Sequence, residues 1–197
     1  MEKISNAITD FYIRKNYVPQ DKREIYSYGF QLILADIINF SIVILLGVFL
    51  GKVIDSILFL ITLCSIRQFS GGFHAKTFWL CRVSMLSTFF CVTVISQLLS
   101  MQSYKIIVLV INIICTAVIT VLSPVKHPNK ELNTKQKKQN KINAFITSFI
   151  MSVISIILII AGFDRGVTIS ITLVAVAILM VIGILVQKGG KQNVQLA

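Results

Sequence analysis

The feature that most constrains this chain is the length of its apolar runs. Tyr28–Leu50, Val53–Ile66, Val83–Ser100, Ile106–Leu122, Ile142–Gly162 and Val167–Val186 form six such blocks. A hydrocarbon core of about 30 Å is crossed by roughly 20 residues of helix. In lipid every backbone N–H and C=O must find its partner within the protein, which leaves helices and closed barrels as spanning structures. The blocks do not alternate polar and apolar residues as barrel strands do. The expected fold is therefore all-α, a polytopic membrane protein with about six transmembrane helices. Val53–Ile66 is the short block; it either continues into Gln68 or Phe69 or enters the bilayer only part way. Composition agrees, with 55% hydrophobic and 14% charged residues where a soluble domain carries about 25% charged residues.

Basic residues give an independent test of the count, because lysine and arginine concentrate in cytoplasmic loops. With a cytoplasmic N-terminus and six crossings, only Lys52, Lys105 and Arg165 of the 19 basic residues fall outside. The other 16 lie inside, and both termini are expected in the cytoplasm. If the second block failed to cross, the basic stretch after Pro124 would face outward, against the rule. The expected organisation is a cytoplasmic N-terminal segment (1–27), a single transmembrane domain (28–187) and a flexible tail (188–197). Two cytoplasmic loops matter within the domain, 67–82 and the basic loop 123–141. No short charged leader followed by an early apolar stretch is visible, so insertion is expected to rely on the first span.

The net charge of +11 thus has a side. Its densest cluster, Lys126–Lys141, fits an anchor for anionic lipid and a topology determinant, or a cradle for an acidic peptide; the two are compatible. No aromatic platform accompanies it, so nucleic acid is not an expected partner. Upstream, Ile4, Ala7, Ile8, Phe11 and Tyr12 recur at helical spacing. They fit an amphipathic helix on the membrane surface as well as an exposed leader.

Chemistry concentrates in RQFSGGFHAKTFWLC, Arg67 to Cys81. Gly71 and Gly72 allow a tight turn or a close approach to another chain. His74 and Cys81 supply a base and a nucleophile, since a cysteine attacks as its thiolate and imidazole can accept the proton. Seven residues apart on one unbroken helix, they would be separated by about 10.5 Å along the axis, too far for a hydrogen bond. The spacing therefore predicts that the third span begins near Thr77, a residue suited to capping. His74 would fold back from the preceding turn, and Cys81 would occupy the first turns, where the helix dipole favours an anion. The bland reading is two unrelated packing residues at the interface. A metal site of His74, Cys81 and His127 would require two loops to meet. Cys64, Cys91 and Cys115 sit in apolar runs and read as small hydrophobes. Asp36, the acid inside the first span, could orient His74, pair with Arg67, or face Asn39.

The pattern R-x3-GG-x-H-x6-C resembles the accessory gene regulator B family, membrane cysteine endopeptidases of Gram-positive quorum sensing. The multispan layout, the chain length and the later proline-then-basic segment SPVKHPNKEL (Ser123–Leu132) match as well. The resemblance implies that Cys81 is the nucleophile and His74 its general base. The substrate would be a precursor peptide whose acidic C-terminal tail is removed through an acyl-enzyme thioester, leading to a cyclic (thio)lactone pheromone. It implies further that Arg67, Gly71 and Gly72 serve activity by holding the substrate backbone or the loop, and that the protein is a homodimer; the charge reading fits beside it, since a basic cytoplasmic surface with Lys135, Lys137 and Lys138 suits an acidic tail. No cofactor is implied. A peptide transporter or scaffold without enzymatic activity is the alternative; the few intramembrane charges give an ion-coupled carrier little support.

Overall fold

The computed structural model describes residues 2–71, 78–100, 104–125 and 133–195. Among them are seven helices: α1 (Glu2–Arg14), α2 (Arg23–Phe49), α3 (Val53–Ser70), α4 (Phe78–Leu99), α5 (Lys105–Leu122), α6 (Thr134–Ile160) and α7 (Arg165–Gln195). No strand occurs among the described residues. The last six helices are each long and apolar enough to cross a membrane. The short second block joins these candidate spans: α3 has 18 residues, about 27 Å of helix at 1.5 Å per residue, and continues past Ile66 to Ser70.

The chain divides into two compact units, Met1–Leu50 and Gly51–Ala197, where the sequence suggested one transmembrane domain. In the first unit α1 folds back on the start of α2. Asn16, with φ +57°, ends α1: its N–H bonds to the Ile13 carbonyl and the Tyr17 N–H to the Tyr12 carbonyl. Asparagine tolerates this left-handed position, and Pro19 follows where a helix cannot resume. The returning helix is held by Arg23, whose Nε and Nη2 donate to the two Asp10 oxygens at 2.8 and 3.2 Å. Ser27 donates to Asn6, and Tyr12 packs on Phe30 at 5.5 Å between ring centroids. Ser5 and Thr9 are buried, while Ile4 and Phe11 are more than half exposed. Small polar residues and the Tyr12–Phe30 pair therefore make the helix contact, while Ile4, Ala7 and Phe11 of the apolar stripe stay exposed.

In the second unit α7 is the central helix, packing on α3, α4, α5 and α6. Val167, Leu173, Val176 and Met180 along it are fully buried. Helices in lipid approach closely through small residues and join through polar ones, and both devices appear here. Ala144, Ser148, Ser152 and Ser155 form the buried face of α6. Asn112, midway along α5 and fully buried, donates through Nδ2 to Ser155 Oγ (3.0 Å) and Ser170 Oγ (2.7 Å). Its Oδ1 accepts from Ser152, and Ser155 donates onward to the Gly166 carbonyl at 2.7 Å. Gly162 at φ +85° turns α6 into α7, with the Phe163 N–H reaching the Leu158 carbonyl and the Gly162 N–H that of Ile159. This is a Schellman end, which glycine makes without strain.

Successive crossings place the turns of this unit at alternate ends. A cavity of about 450 Å³ is lined by Gly51, Lys52, Ser100, Gly162, Asp164 and Arg165, so these turns share one end. The other end holds the junctions after α3 and after α5, tied by a hydrogen bond from the Val125 N–H to the Ser70 carbonyl.

Several boundaries differ from the sequence reading. The loop expected at 67–82 is shorter, because Arg67–Ser70 belong to α3 and Phe78–Arg82 to α4. The basic loop expected at 123–141 becomes helix from Thr134. Asn133 caps it, accepting from the Thr134 N–H at 2.7 Å while Gln136 reaches back to the Asn133 N–H at 3.1 Å. Lysine and glutamine are good helix formers, so α6 extends beyond its apolar run. The stretch read as a flexible tail carries α7 on to Gln195.

Candidate functional site

Arg67 lies in the last turn of α3, and its carbonyl accepts the Gly71 N–H at 3.0 Å. The chain then leaves the helix at Gly71, with φ +70° and ψ −151°, a region reserved almost wholly for glycine. Space makes the same demand, since a Cβ on Gly71 would sit 3.0 Å from the Val125 carbonyl oxygen. Gly71 is thereby explained twice by the local structure. Ser70 beside it is fully buried, and its hydroxyl donates to the Gly71 carbonyl at 3.2 Å.

Cys81 stands in the first turn of α4 (Phe78–Leu99) and is half-buried. The expected start of the third span near Thr77 falls at the edge of the described residues, of which Phe78 is the first in this helix. The Arg82 guanidinium lies 5.8 Å from the centre of the Trp79 ring, a cation–π distance. Gly72, His74, Thr77 and His127 lie outside the described residues.

Lys135, Lys137 and Lys138 are exposed on the first turns of α6. They stand at the same end of the second unit as Gly71 and Cys81. Asp36 lies in α2 and so belongs to the first unit, whereas Arg67 and Cys81 belong to the second.

The profile of the family described as Accessory gene regulator B matches residues 3–187, nearly the whole chain. The chain belongs to the accessory gene regulator B family. No curated protein and no solved structure matches it. Membership of this family accords with a multi-pass membrane protein and with a part in quorum sensing.

Sequence reasoning did not single out Ser70 or the Ser123–Val125 segment at this site. Ser123 and Val125 are buried there. The signal available was the proline preceding the basic run, which served as a family feature without a physical role.

Proposed function

We propose that this protein is a membrane cysteine endopeptidase acting on a precursor peptide at the cytoplasmic face. The observation that carries the reading is Cys81 in the first turn of α4, within a chain that matches its family from residue 3 to residue 187. His74 takes the proton from the Cys81 Sγ, and the thiolate attacks the carbonyl carbon of the scissile peptide bond. As the tetrahedral adduct collapses, the C–N bond breaks and the His74 imidazolium gives its proton to the departing amine. The acidic C-terminal tail leaves, and the remainder of the precursor is held as a thioester on Cys81.

A thiol or hydroxyl within that same bound peptide, giving its proton to the now neutral His74, then attacks the thioester carbonyl, expelling the Cys81 thiolate and closing a ring. Two effects favour closure over hydrolysis. The attacking group is tethered, so its effective concentration is high, and an interfacial site partly excludes water. Arg67 and the double glycine hold the substrate backbone or the loop. Lys135, Lys137 and Lys138 attract the acidic tail.

The deciding experiment co-expresses the precursor with Cys81→Ala, Cys81→Ser or His74→Ala. Full-length precursor should persist with all three variants while each accumulates in the membrane. Normal cleavage by Cys81→Ala would remove the peptidase reading and leave a carrier or scaffold in its place.

A further inference from the structure

We propose that the Ser123–Val125 segment is a positioning element for the Cys81 site: by clasping the end of α3 it sets the direction in which the chain leaves Gly71 toward His74. The proposal rests on the reading of His74 and Cys81 given above. The last four carbonyls of a helix have no intrahelical partner and must be satisfied from elsewhere. For Ser70 that partner is not a local cap. It is the Val125 N–H at 2.8 Å, from a segment more than 50 residues further along the chain. Ser70 is fully buried, and Ser123 and Val125 are 5% and 7% exposed, so water is a poor substitute for this donor.

The Val125 carbonyl faces the other side of the same junction, 3.0 Å from where a Gly71 Cβ would lie. The segment thus acts on α3 twice through its backbone, once as donor and once as a wall. Gly71 is the last described residue before the stretch 72–77 that carries His74, and Cys81 follows at the start of α4. The direction of departure at Gly71 is where the path toward His74 begins, and it is the part of that path the Val125 backbone contacts. The contacts on both sides are made by main-chain atoms, so the identity of the Val125 side chain matters less than its N–H.

The test uses the full chain in membranes, with Cys64, Cys91 and Cys115 replaced by alanine, and follows Cys81 alkylation by iodoacetamide against pH. An activated cysteine reacts with a half-point below the ordinary thiol value of about 8.5. Val125→Ala keeps the N–H and should retain the parent's profile. Val125→Pro, which lacks the N–H, and Gly71→Ala should raise the half-point by about one unit and slow alkylation at pH 7 about tenfold. Parental profiles in both variants overturn the proposal; where Val125→Pro does not reach the membrane, Gly71→Ala decides.

A parent that titrates as an ordinary thiol, unmoved by His74→Ala, would sink the peptidase reading and not the clasp. The clasp is then judged by maleimide labelling of Lys76→Cys in a Cys81→Ser background. A change of about threefold or more in Val125→Pro and Gly71→Ala, but not in Val125→Ala, supports it. Equal labelling in all of them overturns it.

Discussion

Asn112 is the residue on which three helices agree, since its amide joins Ser152 and Ser155 on α6 to Ser170 on α7. In lipid the alternative to such bonds is a polar group without a partner, although each interhelical bond contributes only about 0.6 kcal/mol on average and at most about 1.7. Asn112→Ala should therefore lower stability by about 1–2 kcal/mol, read as an earlier midpoint of unfolding in mixed micelles. Gly166→Ala should cost more, because the new Cβ would lie 2.6 Å from the Ser155 carbonyl oxygen and 2.8 Å from Ile159 Cγ1. Backbone cannot yield as a side chain can, so a loss at the upper end of the 1–3 kcal/mol typical of overpacking is expected. An unchanged midpoint in Gly166→Ala would show that α6 and α7 part easily. None of this network was legible in the sequence, where Asp36 drew the eye as an intramembrane acid. Asn112 lies 43 and 58 residues from Ser155 and Ser170, and serines in an apolar run look like ordinary dilution of hydrophobicity. The Gly71 turn was legible as a turn, because two adjacent glycines announce one. Its second cause, the Val125 carbonyl, is a contact across more than 50 residues that no local pattern records.

Among the elements, α1 shows how a correct pattern can have an unexpected packing consequence. The helical spacing of Ile4, Ala7, Ile8 and Phe11 was visible in the sequence, but burial falls on Ser5 and Thr9 instead. Small side chains allow the two helices to approach, and the apolar stripe is left for another environment. The Arg23 guanidinium holds the Asp10 carboxyl below the usual carboxylate range through its hydrogen bond. A lowered carboxylate pKa means that the pair supports the hairpin at pH values above about 4 and is lost as pH falls through the lower folded value. A spin label at Ala7 should accordingly gain mobility on acidification below that range, and Asp10→Asn should show the acid behaviour already at neutral pH. Identical spectra for the two proteins at pH 7 would mean that the ion pair, exposed as it is, contributes nothing measurable. The start of α6 was misread as loop because a capping box and a lysine-rich helical turn carry no hydrophobic signal. Its consequence is a rigid display of Lys135, Lys137 and Lys138. Replacing all three by glutamine should reduce precursor processing several-fold at low ionic strength, and by less at 0.5 M salt, where screening already weakens the attraction of the parent. Equal processing at low salt would confine these lysines to a topological role.

For the whole molecule, the apolar blocks gave the number of crossings because span length is a direct physical demand of the bilayer, and no tertiary contact can override it. Helix ends were the least legible, since water tolerates helix and loop alike: α2 begins at Arg23 and α6 at Thr134, each well before its apolar run. Within the second unit the alternation is explicit. Lys52 and Arg165 line a cavity at one end, while Ser70 meets Val125 at the other. Charge predicts a cytoplasmic lysine-rich end, because a six-span arrangement with that end inside puts 16 of the 19 basic residues on the inner side, as the bias of lysine and arginine toward cytoplasmic loops requires. That orientation gives a sharp expectation for single-cysteine variants of a protein whose own four cysteines are replaced by alanine. Gln139→Cys, exposed on the early turns of α6, should resist a membrane-impermeant maleimide in intact cells and react once the membrane is opened. Asp164→Cys, exposed in the turn between α6 and α7, should label in intact cells. The opposite pair of results would invert the chain and put Cys81 at the outer surface, out of reach of a precursor made in the cytoplasm. The topology experiment thus tests the proposed chemistry as directly as a mutation of Cys81 does, because a peptidase can act only on the side where its substrate is made.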